Sequence, residues 1–187
     1  MTVTALIVAA GKGERLGGDV PKQFRPIGGK PVLRWAVEAM ASNASIDQIR
    51  VVVGSGQQEL AEAALEGLEV GDLVEGGAER SHSVLNGLHA IGDGTVLVHD
   101  AARPFCPSAV VERLLSALEG HDGAVPVLPV ADTLALGGSI LESPVDRKHL
   151  LRVQTPQAFH VEDLIYAYEE AGRASATDGS TVVLAAG

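Results

Sequence analysis

The residues best suited to chemistry in this chain sit in one loop near its start. Ala9-Ala10-Gly11-Lys12-Gly13-Glu14-Arg15-Leu16-Gly17-Gly18-Asp19-Val20-Pro21-Lys22 follows the apolar run Val3–Val8. A glycine loop leaving a parallel strand can aim several backbone N–H groups at one anion, and phosphate is what such loops usually cradle. Lys12, Arg15 and Lys22 bring up to three positive charges to it, and charge-assisted hydrogen bonds are the strong ones. Ala9 and Ala10 are small enough to let a flat base approach the backbone. A tight turn with solvated lysines would have the same composition, and on the loop alone both readings stand. Two familiar phosphate loops are excluded by spacing. The dinucleotide fingerprint needs a third glycine where Leu16 stands, and the second apolar run ends Val53-Gly54 without an acidic residue to grip a ribose. The Walker pattern needs Gly-Lys-Ser/Thr after four intervening residues, where this chain has Gly18-Asp19 after Gly13.

Asp100 is the second candidate, because it closes the apolar run Val96–Val98. A carboxylate at the carboxyl end of a central strand is placed for ligand work, although a cap or turn former would look alike. Ser83 reads as a ligand contact or as a helix-start residue, and Arg80 as a ligand contact or half of a structural ion pair. His99 reads as a packed histidine, and none of the six histidines has metal-binding spacing. The single cysteine, Cys106, can form neither an internal disulfide nor a cysteine-type zinc site; it reads as inert, and a reducing, cytoplasmic setting follows.

To hold a loop and a carboxylate together the chain needs strands that end side by side. Val3–Val8, Ile49–Val53, Val70–Val74, Val96–Val98 and Ala124–Val130 have strand length and apolar content, and between them Val32–Met40, Gln57–Leu65, Ser81–Ile91 and Ala109–Leu118 have helical period. Such alternation is the mark of βαβ units and a parallel sheet in an α/β domain. Pro31 suits a first helical turn and Ser108 an N-cap. Asp132–His149 breaks the rhythm with glycine, serine, proline and short alternating pairs, which predicts a protruding β-arm. Val161–Ala171 and Gly179–Ala186 read as helices, with Asp178 in capping position and Gly187 placed as a terminator.

The chain's 187 residues, 46% of them hydrophobic, suffice for one core and are few for two domains. With three Phe, two Tyr and one Trp, that core must come from Val, Leu, Ile and Ala, as suits a covered parallel sheet. Fourteen basic against 24 acidic residues give a net charge of −10, which argues against nucleic acid or an anionic membrane as partner. Six of those basic residues (Lys12, Arg15, Lys22, Arg25, Lys30, Arg34) fall within residues 1–34 beside only Glu14 and Asp19, so an anionic ligand has one positive segment to meet. No secretory h-region opens the chain, and no stretch approaches transmembrane length.

Motifs along the chain add what composition cannot. Ala9-Ala10-Gly11-x-Gly-x-Arg15-Leu16 with Pro21-Lys22-Gln23, Gly76-Gly77-Ala78-Glu79-Arg80-Ser81-His82-Ser83-Val84, Val98-His99-Asp100-Ala101-Ala102-Arg103-Pro104, Asp132-Thr133, Asp146-Arg147 and Thr155-Pro156-Gln157 resemble, in this order, the motifs of the methylerythritol 4-phosphate cytidylyltransferases. The His-Asp-Ala-Ala-Arg-Pro run is the most specific, and the likeness covers essentially the whole chain. The resemblance implies a single-domain, Rossmann-like nucleotidyltransferase fold with a mostly parallel central sheet and the β-arm. It implies CMP transfer from CTP to a small sugar-alcohol phosphate, 2-C-methyl-D-erythritol 4-phosphate, with Mg²⁺ as cofactor; the alternatives are ribitol 5-phosphate as acceptor and a non-catalytic nucleotide-binding domain.

Carried over by position, the resemblance makes Arg15 and Lys22 the catalytic pair on the CTP phosphates, with Gly11 beside them. Ala9, Ala10, Gly77 and Ser83 would read cytosine, Asp100 and Ala101 would meet ribose and metal, and Arg103, Thr133 and Arg147 would hold the acceptor, the arm reaching across a homodimer. The chain departs from the pattern at Ala78, where an acidic residue is common, and at Gly187, past which the family continues with a strand, a lysine-bearing segment and a helix. The expectation is that this tail is missing from the sequence, and in some bacteria the domain is fused to the pathway's cyclodiphosphate synthase.

Overall fold

The structure, a computed structural model, describes residues 1–11, 20–170 and 179–186. The first strand, β1 (Val3–Ala9), enters the glycine loop; a 3-10 turn over Lys22–Phe24 and a small hairpin of β2 (Pro26–Ile27) and β3 (Lys30–Pro31) then lead into α1 (Val32–Ala41). Gly28 and Gly29 form the hairpin's tip with φ of 58° and 84°, the left-handed pair that a two-residue hairpin requires. Next come β4 (Gln48–Val53), α2 (Gln58–Leu65), β5 (Val74–Glu75), α3 (Arg80–Ile91), β6 (Thr95–Asp100), α4 (Ser108–Leu118) and β7 (Gly123–Ala124). The arm is built from β8 (Val127–Pro129), β9 (Leu134–Gly137), β10 (Leu141–Val145) and β11 (Leu151–Val153), after which β12 (Gln157–His160), α5 (Val161–Glu170) and α6 (Gly179–Ala186) follow.

The central sheet runs β5-β4-β1-β6-β12-β7, parallel from β5 to β6, with β12 antiparallel to both its neighbours. Both faces are covered, which is why β1, β4 and β6 are nearly continuous apolar runs. The pleat divides them. Ala5, Ile7 and Ala9 of β1, with Ile49, Val51, Val53 and Leu97, face a core closed by α1, α2 and α4. Leu6, Val52, Val96 and Val98 face the opposite core, closed by α3, α5 and α6. No helix among the described residues is long and apolar enough to cross a membrane.

The α/β class, the mainly parallel sheet and the arm stand as expected, and several boundaries move. The run Ala124–Val130 is two strands in different sheets: Pro126, which has no N–H for a ladder, lies between β7 and β8, and β8 leaves to pair with β11. The arm therefore reaches from Val127 to Val153, beyond the expected 132–149, and is two antiparallel ribbons, β8 with β11 and β9 with β10. The expected strand Val70–Val74 shrinks to β5, and β12 has no counterpart in the sequence reading. Pro31 precedes α1 rather than opening it, and Ser108 is the first residue of α4, with Pro107 before it and no side-chain cap. Asp178 and Gly187 lie outside the described residues.

Candidate active site

Chain order reverses direction across β1: β4 and β5 lie to one side of it, β6 to the other. At such a switch point the loops diverge and leave a crevice outside the carboxyl ends of the strands. A cleft of about 710 Å³ opens there, floored by Ala9 at the end of β1 with Ala10 and Gly11 beyond it, walled by Gly76 and Gly77 after β5, and bordered by Asp100 at the end of β6 and Ala101 beyond it. Lys22 and Ser83 line it too. Eight of the expected site residues are thus brought together from segments far apart in sequence. Arg15 lies outside the described residues. Arg103 lines a neighbouring cleft at the base of the arm, and Thr133 and Arg147 are exposed on the arm itself, where Arg147 donates to the Ala131 carbonyl.

The wall is tight for a reason visible in its glycines. A Cβ on Gly76 would stand 2.5 Å from the Ala10 Cβ and 2.8 Å from the Ser83 hydroxyl, so only glycine lets this loop close on the floor. Ser83 is buried, and its hydroxyl accepts from the Gly77 N–H at 3.1 Å while donating to the Glu79 carbonyl at 3.0 Å. Its role is set by those two bonds: it ties the Gly76-Gly77 turn to the start of α3 and holds the turn's backbone toward the cleft.

Asp100 is about a third exposed and paired twice. Its Oδ1 accepts from Arg80 at 2.9 and 3.2 Å, and its Oδ2 from Arg103 Nε at 3.4 Å. Arg103 also donates to the Gln154 side chain. Beneath runs a chain of bonds that sequence spacing does not show. The Asp100 N–H donates to Thr155 Oγ1 at 3.2 Å, Thr155 faces His99 Nδ1 at 3.2 Å, and His99 Nε2 faces the Arg103 carbonyl at 2.9 Å. A carbonyl only accepts, so Nε2 carries a proton, and in the neutral ring Nδ1 accepts from the Thr155 hydroxyl. His99 is a packed histidine, as its sequence context suggests.

Burial pushes the His99 imidazole below its ordinary value, against the raising pull of the Arg103 carbonyl. The sign follows directly. Below about pH 6.5 the unfolded chain takes a proton that the folded one refuses, so this contribution is whole above that pH and is lost as pH falls through the folded value. Unfolding free energies from urea titrations between pH 7.5 and 5, in metal-free buffer, are expected to fall more steeply for the wild type than for His99→Phe, by at most about 1.4 kcal/mol per pH unit. Parallel curves would show that His99 is not the group responsible.

The basic N-terminal segment divides into structural and cleft-facing members. Lys30 and Arg34 both bind Glu38, at 2.8 and 2.9 Å. The Lys30 hydrogen bond, joined by Arg34, holds the Glu38 carboxyl below its usual value. Arg25 Nε donates to the Val20 carbonyl at 2.9 Å. Among the described residues, Lys22 is the member of this set that lines the cleft, and its ammonium makes no ion pair there. No cluster of three His, Cys, Asp or Glu side chains suited to a metal occurs among the described residues. Two cleft residues to which the sequence assigned no role are Gln23 and Gln57; only the Pro21-Lys22-Gln23 triplet hinted at the first.

Comparison with known proteins converges on one family. The family model for IspD, 2-C-methyl-D-erythritol 4-phosphate cytidylyltransferase, matches residues 3–187. The bifunctional enzyme IspD/IspF of Rhizorhabdus wittichii is 51% identical over 187 residues, covering 100% of this chain and 49% of that protein. The 2-C-methyl-D-erythritol 4-phosphate cytidylyltransferase of Cereibacter sphaeroides is 43% identical over 193 residues, covering 100% of this chain and 85% of that one. Among solved structures, the 2-C-methyl-D-erythritol 4-phosphate cytidylyltransferase of Thermus thermophilus superposes with a TM-score of 0.83 at 36% identity, covering 100% of this chain and 85% of that one. The bifunctional IspDF of Campylobacter jejuni gives 0.85 at 26% identity, covering 100% and 48%. The chain thus spans about half the length of its bifunctional relatives. With that family model matched over residues 3–187 and relatives 43–51% identical along the chain, this chain belongs to the 2-C-methyl-D-erythritol 4-phosphate cytidylyltransferase family.

Proposed function

We propose that this chain transfers CMP from CTP to 2-C-methyl-D-erythritol 4-phosphate, releasing pyrophosphate, as a step in isoprenoid precursor synthesis. The observation that carries this reading is the cleft at the switch point, where the Ala9–Gly11 backbone, Lys22, the Gly76-Gly77 turn and Asp100 meet. A phosphate oxygen of the acceptor attacks the α-phosphorus of CTP; that O–P bond forms, the α–β anhydride bond breaks, and pyrophosphate leaves with the electron pair. No protein nucleophile is needed. The barrier lies in bringing a dianion to a polyanion, so positioning and charge neutralisation do the catalysis.

Lys22 places its charge beside the phosphates, and the motif assigns Arg15 the same work. The narrow wall at Gly76-Gly77, with main-chain donors and acceptors, suits the edge of a flat base, and cytosine is the base this reading assigns. Asp100 offers one carboxylate with lone pairs left beyond its arginine bonds, and the cleft lacks a dedicated metal cage among the described residues. That donor set fits Mg²⁺, which is held mostly by phosphate oxygens and water and would supply neutralisation of the phosphate charge. Arg103, Thr133 and Arg147 are assigned to the acceptor's phosphate, with the arm completing the site of a second copy in a homodimer. Apolar side chains exposed along the arm, Leu136, Ile140, Leu141 and Leu151, support that pairing. A cytoplasmic setting without nucleic-acid or membrane partners is part of the same reading, supported by the lone cysteine and the net charge of −10.

Pyrophosphate release with Mg²⁺ tests the reading when CTP, ATP, GTP and UTP are offered with methylerythritol 4-phosphate, and ribitol 5-phosphate serves as a rival acceptor. Release with CTP and methylerythritol 4-phosphate alone is expected. Release with ribitol 5-phosphate instead would move the chain to that acceptor, which the family match does not favour. CTP binding without release under any pairing would leave a nucleotide-binding domain.

A further inference from the structure

We propose that Gln23 is a positioning residue that sets Lys22 against the nucleotide-facing backbone; the inference rests on the cytidylyl-transfer reading above. Gln23 belongs to the same 3-10 turn as Lys22, and its side chain is 2% exposed. Its Nε2 faces three acceptors: the Ala9 carbonyl at 2.6 Å, the Gly11 carbonyl at 3.1 Å and Gln57 Oε1 at 3.1 Å. Two of these are main-chain carbonyls, which can only accept, so the nitrogen must point at them and Gln57 must present its oxygen. One carboxamide thus ties both flanks of Ala10, where the cleft floor begins, to the residue next to Lys22, and through Gln57 to the start of α2.

Packing does not explain this residue. Gln23 Oε1 is buried without a partner among the described residues, a cost that an apolar side chain of similar size would avoid. The turn also has its own anchors. Phe24 is buried in the core against α1, Phe24 N donates to the Pro21 carbonyl at 2.9 Å, and Arg25 N to the Lys22 carbonyl at 3.2 Å. The turn is thus held to the core without the Gln23 amide, and what the amide adds is the relation between the turn and the floor. A charge displaced from its working position by about 1 Å is enough to cost on the order of 10²-fold in rate.

The test is a double-mutant cycle with full steady-state kinetics. Gln23→Leu is expected to remain cooperatively folded at a somewhat lowered Tm, because the Ala9 and Gly11 carbonyls lose a donor, to lower kcat by roughly 30- to 100-fold, and to weaken CTP binding by about tenfold in calorimetry. In a Lys22→Ala background the same substitution is expected to cost less than about threefold in kcat, because the group being positioned is gone. Gln23→Met, of similar length but without the N–H donors, should repeat the loss and serves if the leucine variant fails to fold. Wild-type kcat and CTP affinity in both variants, or an equal kcat cost in both backgrounds, would overturn the proposal. Failure of the wild type to release pyrophosphate would count against the cytidylyl-transfer reading instead. The Gln23 contacts would then be judged by calorimetry, where unchanged CTP affinity in Gln23→Leu overturns them.

Discussion

Lys22→Ala is expected to lower CTP turnover by about 10²- to 10³-fold, the range for removing one preorganised group that meets developing charge. Its effect on stability should stay within about 0.5 kcal/mol, because the ammonium has no ion-pair partner among the described residues and its loss orphans nothing there. The separation of the two effects is the point. Lys30→Ala makes the contrast: it removes a charge from the same basic segment, but one paired to Glu38 away from the cleft, and should leave kcat at the wild-type value. Steady-state kinetics at saturating CTP alongside thermal melts check both. Wild-type kcat in Lys22→Ala would remove this turn from the chemistry.

Asp100→Asn should be nearly as damaging for a different reason. The substitution keeps the shape but removes the charge that two arginines share, and turns one of the oxygens facing Arg80 or Arg103 into an N–H donor. Turnover is expected to fall by about 10²-fold or more, and half-maximal rate should require several-fold more Mg²⁺. The two ion pairs are each about a third exposed on the Asp100 side, so the stability cost should be about 1 kcal/mol. Pyrophosphate release titrated with Mg²⁺ reads the first effect and urea denaturation the second. Reduced turnover with an unshifted Mg²⁺ requirement would leave Asp100 as the anchor of Arg80 and Arg103 without a metal role.

Much of this architecture was legible because β1, β4 and β6 are buried on both faces and so announce themselves as apolar runs, while the helices between them carry one apolar stripe. The glycine loop and Asp100 were legible for a related reason: both stand where such runs end. What escaped was whatever depends on a remote partner. Gln157–His160 is four residues with a polar one at each end, and it is a strand because β6 and β7 flank it. The run Ala124–Val130 looked continuous because apolarity does not report which sheet a residue joins, and only Pro126 marked the break. His99 and Thr155 stand 56 positions apart, and no spacing rule connects them. By contrast, the diversion of Arg34 from the cleft could have been read from its i,i+4 relation to Glu38. Thr133 and Arg147 entered through family motifs alone, and both stand on the arm outside the cleft.

The most direct measurement is phosphorus NMR of the product after incubating the protein with Mg²⁺, CTP and methylerythritol 4-phosphate. A new pair of coupled diphosphate resonances, growing in step with free pyrophosphate and absent when either substrate is withheld, is the predicted result. Unchanged CTP and acceptor signals, or CTP hydrolysed to CMP and pyrophosphate with the acceptor untouched, would contradict cytidylyl transfer by this cleft.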